Sequence, residues 1–445
     1  MKKLITVFFI LSILALNISA QTPKWTTYTP QNTSSMLPDN NVDYLATDQN
    51  GNIWIGTYFS GLVKFDGTNW TNYNTTNSPL PDKTITDVTI DPSGNIWLCD
   101  YGNGVYKYDG VNWTHYSTAN GLSSDYVNTI IADKNGNIWI GLSVSGPNYY
   151  GLMKYNKSSW VGYTFTNTYN FFSAESIAED LSGNIWAGTQ IGLYKFNGTS
   201  WTIYTKETTG GNLCGNYIKT IAVDPSGNIW FGCEDKDPAT GSWIGGGLSK
   251  FNGSTWTSNT PSNSNLKTGY VSAVAFRNNE VWVGTGFCGQ VSDDLGLYKF
   301  DGTTWTNYYN DSNTFPGTCV NDLVVDKNGN LWIGSSWGLT KVDFNPTDVK
   351  ETESIPTSFK LNQNYPNPFN PETVISYQLP VSGKVRLSVS DLLGREVAVL
   401  VDEVQPAGIH HSTFSSARTA LSSGVYFYKL QTENFVDVKK MMIIK

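Results

Sequence analysis

One short string and its near copies constrain this chain more than anything else in it. Gly51-Asn52-Ile53-Trp54-Ile55-Gly56-Thr57 recurs with small changes, its tryptophan falling at Trp54, Trp97, Trp139, Trp186, Trp230, Trp282 and Trp332. The intervals run from 42 to 52 residues, which is the period of a four-stranded propeller blade. A single blade cannot bury both of its faces, so the array has to close into a ring. Seven copies predict an all-β chain whose larger part is a seven-bladed β-propeller.

Each copy carries turn chemistry between strand-like runs. In the first, Val42 to Thr47 reads as the inner strand, Ile53 to Thr57 as the second, Leu62 to Phe65 as the third and Trp70 to Tyr73 as the outer one. Asp48-Gln49-Asn50-Gly51 turns the chain between the first two, since Asp can bond backbone amides and Gly accepts positive φ. Asp66-Gly67 is a two-residue hairpin signal, repeated at Asp109-Gly110, Asn197-Gly198, Asn252-Gly253 and Asp301-Gly302. The third copy departs with Asn156-Lys157, and the sixth has Arg277-Asn278-Asn279-Glu280 where the others have Asp-x-x-Gly. The second strands are apolar on consecutive residues, as expected where both faces are buried.

An outer-strand tryptophan occurs at Trp70, Trp113, Trp160, Trp201, Trp256 and Trp305, but the seventh copy stops at Asn345-Pro346 without one. Trp25-Thr26-Thr27-Tyr28 copies Trp70-Thr71-Asn72-Tyr73. Residues 24–29 are therefore expected to complete the last blade and seal the ring from the N-terminal side.

The repeats Asp-x-x-Gly-Asn-Ile-Trp-Ile-Gly-Thr and Gly-Leu-x-Lys-Phe-Asp-Gly resemble the two-component regulator propeller family over roughly residues 25–346. In that family such propellers often form extracytoplasmic sensor halves of hybrid histidine kinases, many of which detect glycan fragments. This chain has one propeller where those proteins usually carry two, and it has no kinase. The resemblance implies ligand binding, not signalling.

Composition changes after the repeats. Residues 347–358 are polar and charged and read as a linker. Beyond it, Asn364 to Pro371 is too proline-rich for a central strand. Alternating stretches follow at Thr373 to Leu379, Lys384 to Ser390, Glu396 to Val401, Gly424 to Leu430 and Phe435 to Ile444. Strands at this spacing predict a small Ig-like β-sandwich over 359–445. Asn-Tyr-Pro-Asn-Pro-Phe-Asn-Pro-Glu-Thr at 364–373, Asp-Leu-Leu-Gly-Arg-Glu-Val at 391–397, the stretch 421–430 and the basic and apolar end Val438 to Lys445 resemble the type A C-terminal sorting domain of the type IX secretion system. That resemblance implies a Bacteroidetes-type host, the type IX machinery as partner, and passage across the outer membrane. It also implies removal of the domain on arrival, with the protein released or attached to the cell surface.

The other end agrees with export. Met1-Lys2-Lys3, the apolar run Val7 to Leu16 and Ser19-Ala20 have the layout of a signal peptide over residues 1–20. Residues 21–346 then form the mature propeller. No later window approaches the ~18 apolar residues of a membrane span. The formal net charge of −8 disfavours nucleic acid and anionic lipid, which need a basic face.

Function on a propeller is expected at the end where loops enter the inner strands and join the second strand to the third. Trp243 and Trp337 are the two tryptophans that periodicity leaves unexplained. With Tyr58, Tyr126, Tyr149, Tyr150, Tyr217 and Tyr270 they are the candidate ligand contacts, since rings stack on a pyranose face while polar neighbours bond its hydroxyls. The pairs Cys214–Cys233 and Cys288–Cys319 are candidate disulfides bracing the longest loops, leaving Cys99 free. No metal cluster, nucleophile elbow or phosphate loop is seen, no cofactor is expected, and His115 reads as a solvated edge residue. The leading reading is a secreted or cell-surface, non-enzymatic binding protein with a glycan ligand. Two others stand beside it: a polysaccharide-degrading enzyme using loop carboxylates among Asp100, Glu234, Asp235, Asp237, Asp293 and Asp294, and a protein-interaction or structural component of the surface.

Overall fold

The computed structural model describes residues 22–81, 84–145, 150–163, 171–236, 240, 242–286, 295–308, 315, 317, 319–346, 358–364, 367–369, 372–415 and 421–444. It divides into two compact units, Met1–Asn345 and Pro346–Lys445. Tyr149, Cys288, Asp237, Asp293 and Asp294 lie outside the described residues, as do the signal-peptide and most of the linker residues.

The first unit is a ring of seven antiparallel four-stranded blades, the strands of the first six running in sequence order from the axis outward. In blade one these are Val42–Thr47, Ile53–Thr57, Leu62–Phe65 and Trp70–Tyr73. The second strand is buried along its whole length, because a neighbouring blade covers each face. Blades three and four are also joined directly, Ser143–Ser145 pairing with Phe171–Ser173 in one continuous sheet.

The ring closes where the repeat count requires. Lys24–Tyr28 pairs antiparallel with Gly338–Asp343, Trp25 opposite Val342 and Tyr28 opposite Leu339. Trp25 packs on Tyr308 of blade six at 5.3 Å, and Tyr28 packs on Phe65 and Trp70 of blade one at 5.1 and 5.5 Å. The N-terminal strand thus bridges both neighbours of blade seven.

The Asp-x-x-Gly-Asn-x-Trp string is a side-chain clamp. Asp91 accepts from the backbone of Ser93 and Asn95, from Asn95 Nδ2 at 2.7 Å and from Trp97 Nε1 at 3.0 Å. Asp48, Asp133, Asp180, Asp224 and Asp326 hold their own tryptophans the same way. Blade six keeps the function with other atoms, Trp282 Nε1 donating to Glu280 at 3.3 Å. In every blade a lysine ammonium covers the same indole, from Lys64 over Trp54 to Lys341 over Trp332. A buried indole N–H needs an acceptor, and its electron-rich face attracts a cation. The residue spacing of the repeat meets both demands locally. Gly51 closes the turn at φ 88°, a conformation favouring glycine.

The second unit is a two-sheet sandwich. One sheet holds Lys360–Leu361, Glu372–Leu379 and Gly408–Ser415; the other orders Glu396–Gln405, Gly383–Ser390, Gly424–Gln431 and Val436–Ile443. Tyr377, Leu387, Val389, Phe414, Tyr428 and Met441 fill the core between them. The strand Gly408–Ser415 was not among the sequence expectations. Where it is described, the proline-rich stretch straps the last strand: buried Phe369 exchanges backbone hydrogen bonds with Met442 and Ile444. Tyr428 Oη holds the start of the strap, accepting from Asn364 N at 2.7 Å and donating to Asn362 O at 2.8 Å.

Candidate functional site

Every inner strand contains a β-bulge at the same register. The irregularities fall between Val42 and Tyr44, Ile85 and Asp87, Val127 and Thr129, Ala174 and Ser176, Ile218 and Thr220, Val271 and Ala273, and Val320 and Asp322. A bulge leaves one residue outside the ladder and re-aims its side chain. Those seven residues are Asp43, Thr86, Asn128, Glu175, Lys219, Ser272 and Asn321, all polar, and together they line one axial cavity of about 350 Å³. Tyr44, Tyr101, Gly286, Cys319 and Val320 complete its wall. The volume falls in the range of small-ligand sites.

Four of the bulged residues tie their blade to the next. Thr86 Oγ1 donates to Val127 O at 2.6 Å, Asn128 Nδ2 to Ser173 Oγ, and Ser272 Oγ to Val320 O. Asn321 Nδ2 reaches across the closing interface to Val42 O and Asp43 Oδ1, both at 3.0 Å. One position deeper, Asp87 accepts from Ile130 N and Thr129 Oγ1, and Asp322 accepts from Leu45 N, each at 2.8 Å. The polar axis is therefore held in place before any ligand arrives.

Its electrostatics are mixed but mostly acidic. Burial, with the Asp39 charge beside it, pushes the Asp43 carboxyl up to about 7 against the opposing Asn41 amide. Burial likewise pushes Asp322 to about 7 and Asp87 to about 6, against the backbone amides they accept from. Lys219 is the cation of the funnel: burial alone would lower its pKa, but Tyr217, Glu175 and Glu234 raise it overall. Its ammonium donates to Tyr217 Oη at 3.2 Å and lies 4.8 Å from that ring. Glu175 is bonded by Gln190 Nε2 at 3.3 Å.

Exposed aromatics surround the mouth. Tyr58 packs edge-on against Phe59 at 4.4 Å, Tyr101 against Tyr126 at 5.2 Å, and Trp337 projects from the last blade with 56% of its surface exposed. Of the candidates from sequence, Tyr58, Tyr126 and Trp337 share this rim, and Tyr217 lies against Lys219 of the funnel. Tyr270 is half-buried at the entry to the inner strand of blade six. Tyr150 lies apart, against Gly162 of an outer strand. Trp243 begins the third strand of blade five, paired with Lys236, and its side chain is outside the described set. The bulge ring itself was missed.

A disulfide joins Cys214 to Cys233, and Cys99 is free and buried. Cys319 is also disulfide-bonded. Three of the loop carboxylates considered for catalysis are not on loops: Asp100 is fully buried within Ile96–Asp100, and Glu234 and Asp235 are half-buried in Ile229–Lys236. Strand pairing draws all three back from the solvent. Asp235 is paired with Lys206 at 2.5 Å. His115 is exposed and stacks on Tyr106 at 4.3 Å. Among the described residues no group of acidic, His and Cys side chains has the arrangement of a metal site.

Residues 36–59, 121–143, 212–235 and 314–337 match the two component regulator propeller family, and residues 363–445 match the secretion system C-terminal sorting domain family. No curated protein matches the chain. Among solved structures it is similar to the extracellular domain of a protein named as a hybrid two component system from B. thetaiotaomicron, at 18% identity and TM-score 0.57, covering 95% of this chain and 57% of that one. A one component system from the same organism gives 16% identity and TM-score 0.50, covering 95% of this chain and 59% of that one. The chain thus spans under two thirds of either extracellular domain. Virginiamycin B lyase from Staphylococcus aureus, solved with quinupristin, gives 13% identity and TM-score 0.54, covering 72% of this chain and 99% of that one. At these identities the likeness concerns the fold. The sorting domain implies export across the outer membrane, and no described helix is long and apolar enough to cross a membrane.

Proposed function

We propose that this chain, which carries two component regulator propeller repeats and a secretion system C-terminal sorting domain, is an exported, non-enzymatic binding protein that takes a carbohydrate at the axial funnel. The observation that carries the reading is the combination of seven bulged polar side chains on the axis with exposed aromatic rings at the mouth. Hydroxyls need short polar groups of both senses, and Asn128, Ser272, Asn321, Lys219, Asp43 and Glu175 supply donors and acceptors in one cavity. The apolar face of a pyranose needs an exposed ring, which Trp337, Tyr58 and Tyr101 offer. Asp43 accepts from Asn41 and Asn321, and Glu175 from Gln190, so neutral amides hold both carboxyls in place as acceptors.

Affinity electrophoresis of the purified chain through gels holding a panel of polysaccharides tests this. Retardation in one or a few gels, lost in Trp337→Ala and in Lys219→Met, is the expected result, with no reducing ends released on incubation. Uniform migration in every gel would remove the carbohydrate and direct the search to protein partners at the cell surface.

A further inference from the structure

The turns between first and second strands form a second ring, at the end of the propeller opposite the funnel mouth. Its members pack on one another. Pro92 of blade two lies against Gly136 of blade three, Lys134 against Gly183 of blade four, Leu181 against Gly227 of blade five, and Lys327 of blade seven against Gly51 of blade one. Lys327 also donates to the carbonyls of Gln49 and Asn50. At these four junctions the residue after the clamp aspartate sits on the glycine of the next turn, whereas a Cβ at Gly94 of blade two would meet nothing within 4 Å.

Blade five offers Pro225 in that role, but blade six has no such glycine. Its strands run on to pair Arg277 with Glu280, leaving only Asn278 and Asn279 at the tip. Arg277 turns the other way and donates to Gly329 O of blade seven at 2.9 Å. A cleft of about 460 Å³ consequently lies between blades five and six. Half-buried Phe276 and Phe300 contribute aromatic surface to it, above the buried Trp230. Its charged groups are committed: Asp224 to Asn228 and Trp230, Glu280 to Arg277, Lys299 and Trp282, Lys250 to the Trp230 ring. The side chains of Thr257, Ser258, Asn259, Asn278 and Asn279 have no hydrogen-bond partner among the described residues.

We propose that this cleft is a second binding site, taking an uncharged sugar ring. The uncommitted groups are neutral amides and hydroxyls, which match hydroxyls in either sense, and the aromatic surface beside them matches a pyranose face. A cation would find no free counter-charge, since both carboxylates are engaged within the protein. The site does not depend on the funnel being a sugar site.

Calorimetric titration of the full chain with neutral gluco-, manno-, galacto- and xylo-configured tetrasaccharides tests it. One or more should bind. Asn259→Ala combined with Asn278→Gly should weaken that binding at least tenfold, the glycine suiting the φ of 52° at Asn278. Replacing residues 277–280 with the five-residue turn of blade five, Asp224 to Asn228, should abolish it by refilling the cleft while retaining a clamp carboxylate. Each variant is checked for an unchanged urea midpoint. Trp337→Ala should leave this binding intact. No binding by any tetrasaccharide, or binding indifferent to both cleft changes, overturns the proposal. Loss in Trp337→Ala alone would do the same, and would place the sugar at the funnel.

Discussion

Each blade carries two aspartates or their equivalents in turns, and only one of them should matter to stability. In blade two, Asp91 is 8% exposed and accepts four hydrogen bonds, whereas Asp109 lies in the exposed hairpin and accepts from the backbone of Val111 and Asn112. Replacing Asp91 with Ala frees the backbone amides of Ser93 and Asn95 near the surface, where water takes the lost acceptor's place. It also strands Trp97 Nε1, on a side chain 2% exposed, and the Asn95 amide. A buried donor left unmade costs ~1–3 kcal/mol, and a bond to a charged acceptor is worth ~1.5–3 kcal/mol. The whole change should cost about 3 kcal/mol, whereas at exposed Asp109 water replaces the lost acceptor and the midpoint should move little. All sixteen tryptophans lie between Trp25 and Trp337, so tryptophan fluorescence reports the propeller alone in the full chain. In urea titrations the Asp91→Ala midpoint should fall well below that of Asp109→Ala. A cycle with Trp97→Phe should give a coupling of roughly 1–2 kcal/mol, since residues sharing a buried bond are not additive. Equal losses from the two alanines, or an additive cycle, would refute the clamp as the reason for the motif.

The remaining predictions concern closure, pH and the sandwich. Tyr28→Ala removes a half-buried ring from contacts with Phe65, Trp70 and Trp332 and should cost roughly 2–3 kcal/mol; deleting residues 22–29 should cost more, and an unchanged melt would contradict closure by this strand. Asp43, Asp87 and Asp322 have folded pKa values of about 7, 6 and 7, above an ordinary carboxyl, so their contribution is full at acid pH and lost as pH rises through 6–7. Asp48, Asp91, Asp180 and Asp224 are held below the ordinary value: burial opposes this, but the asparagine and indole donors outweigh it, so their contribution is lost as pH falls below ~4. The fluorescence melt should therefore peak near pH ~4 and decline from there to about pH 7, by roughly 1–2 kcal/mol once water in the funnel is allowed for; a rise over that range would contradict it. Tyr428→Phe removes both strap contacts and should cost ~1–2 kcal/mol, read as faster proteolysis near residue 364 with no change in tryptophan fluorescence.

The blade architecture was legible because its determinants are local. The clamp spans six residues from Asp91 to Trp97, the hairpin aspartates reach three residues ahead, and the missing outer strand of blade seven was visible as a missing tryptophan. The strand Gly408–Ser415 was not legible: Ile409 and Phe414 are its only large apolar residues, and its place depends on pairing with Glu372–Leu379. The candidate sites divide along the same line. Rim aromatics such as Trp337 stood out because periodicity left them unexplained.

The axial ring had a signature, though not the one that strand reading looks for. Inner strands bury Val42 and Leu45, Ile85 and Val88, Val127 and Ile130, Ala174 and Ile177, Ile218 and Ile221, Val271 and Val274, and Val320 and Leu323. That is a spacing of three where an unbroken strand needs two or four. Two polar or half-buried residues between two buried ones, in six of the seven blades (blade six has buried Ala273 as the second), fit a strand through a bulge. The residue after the first buried one then leaves the ladder and faces the axis. Alternation alone would assign Asp43 and Lys219 to a blade face, inside an apolar interface where an ionised side chain is costly. The bulge avoids that cost and fills the funnel with the polar groups that a ligand can use. The same feature that kept these residues out of the sequence reading is therefore what makes the axis a binding surface.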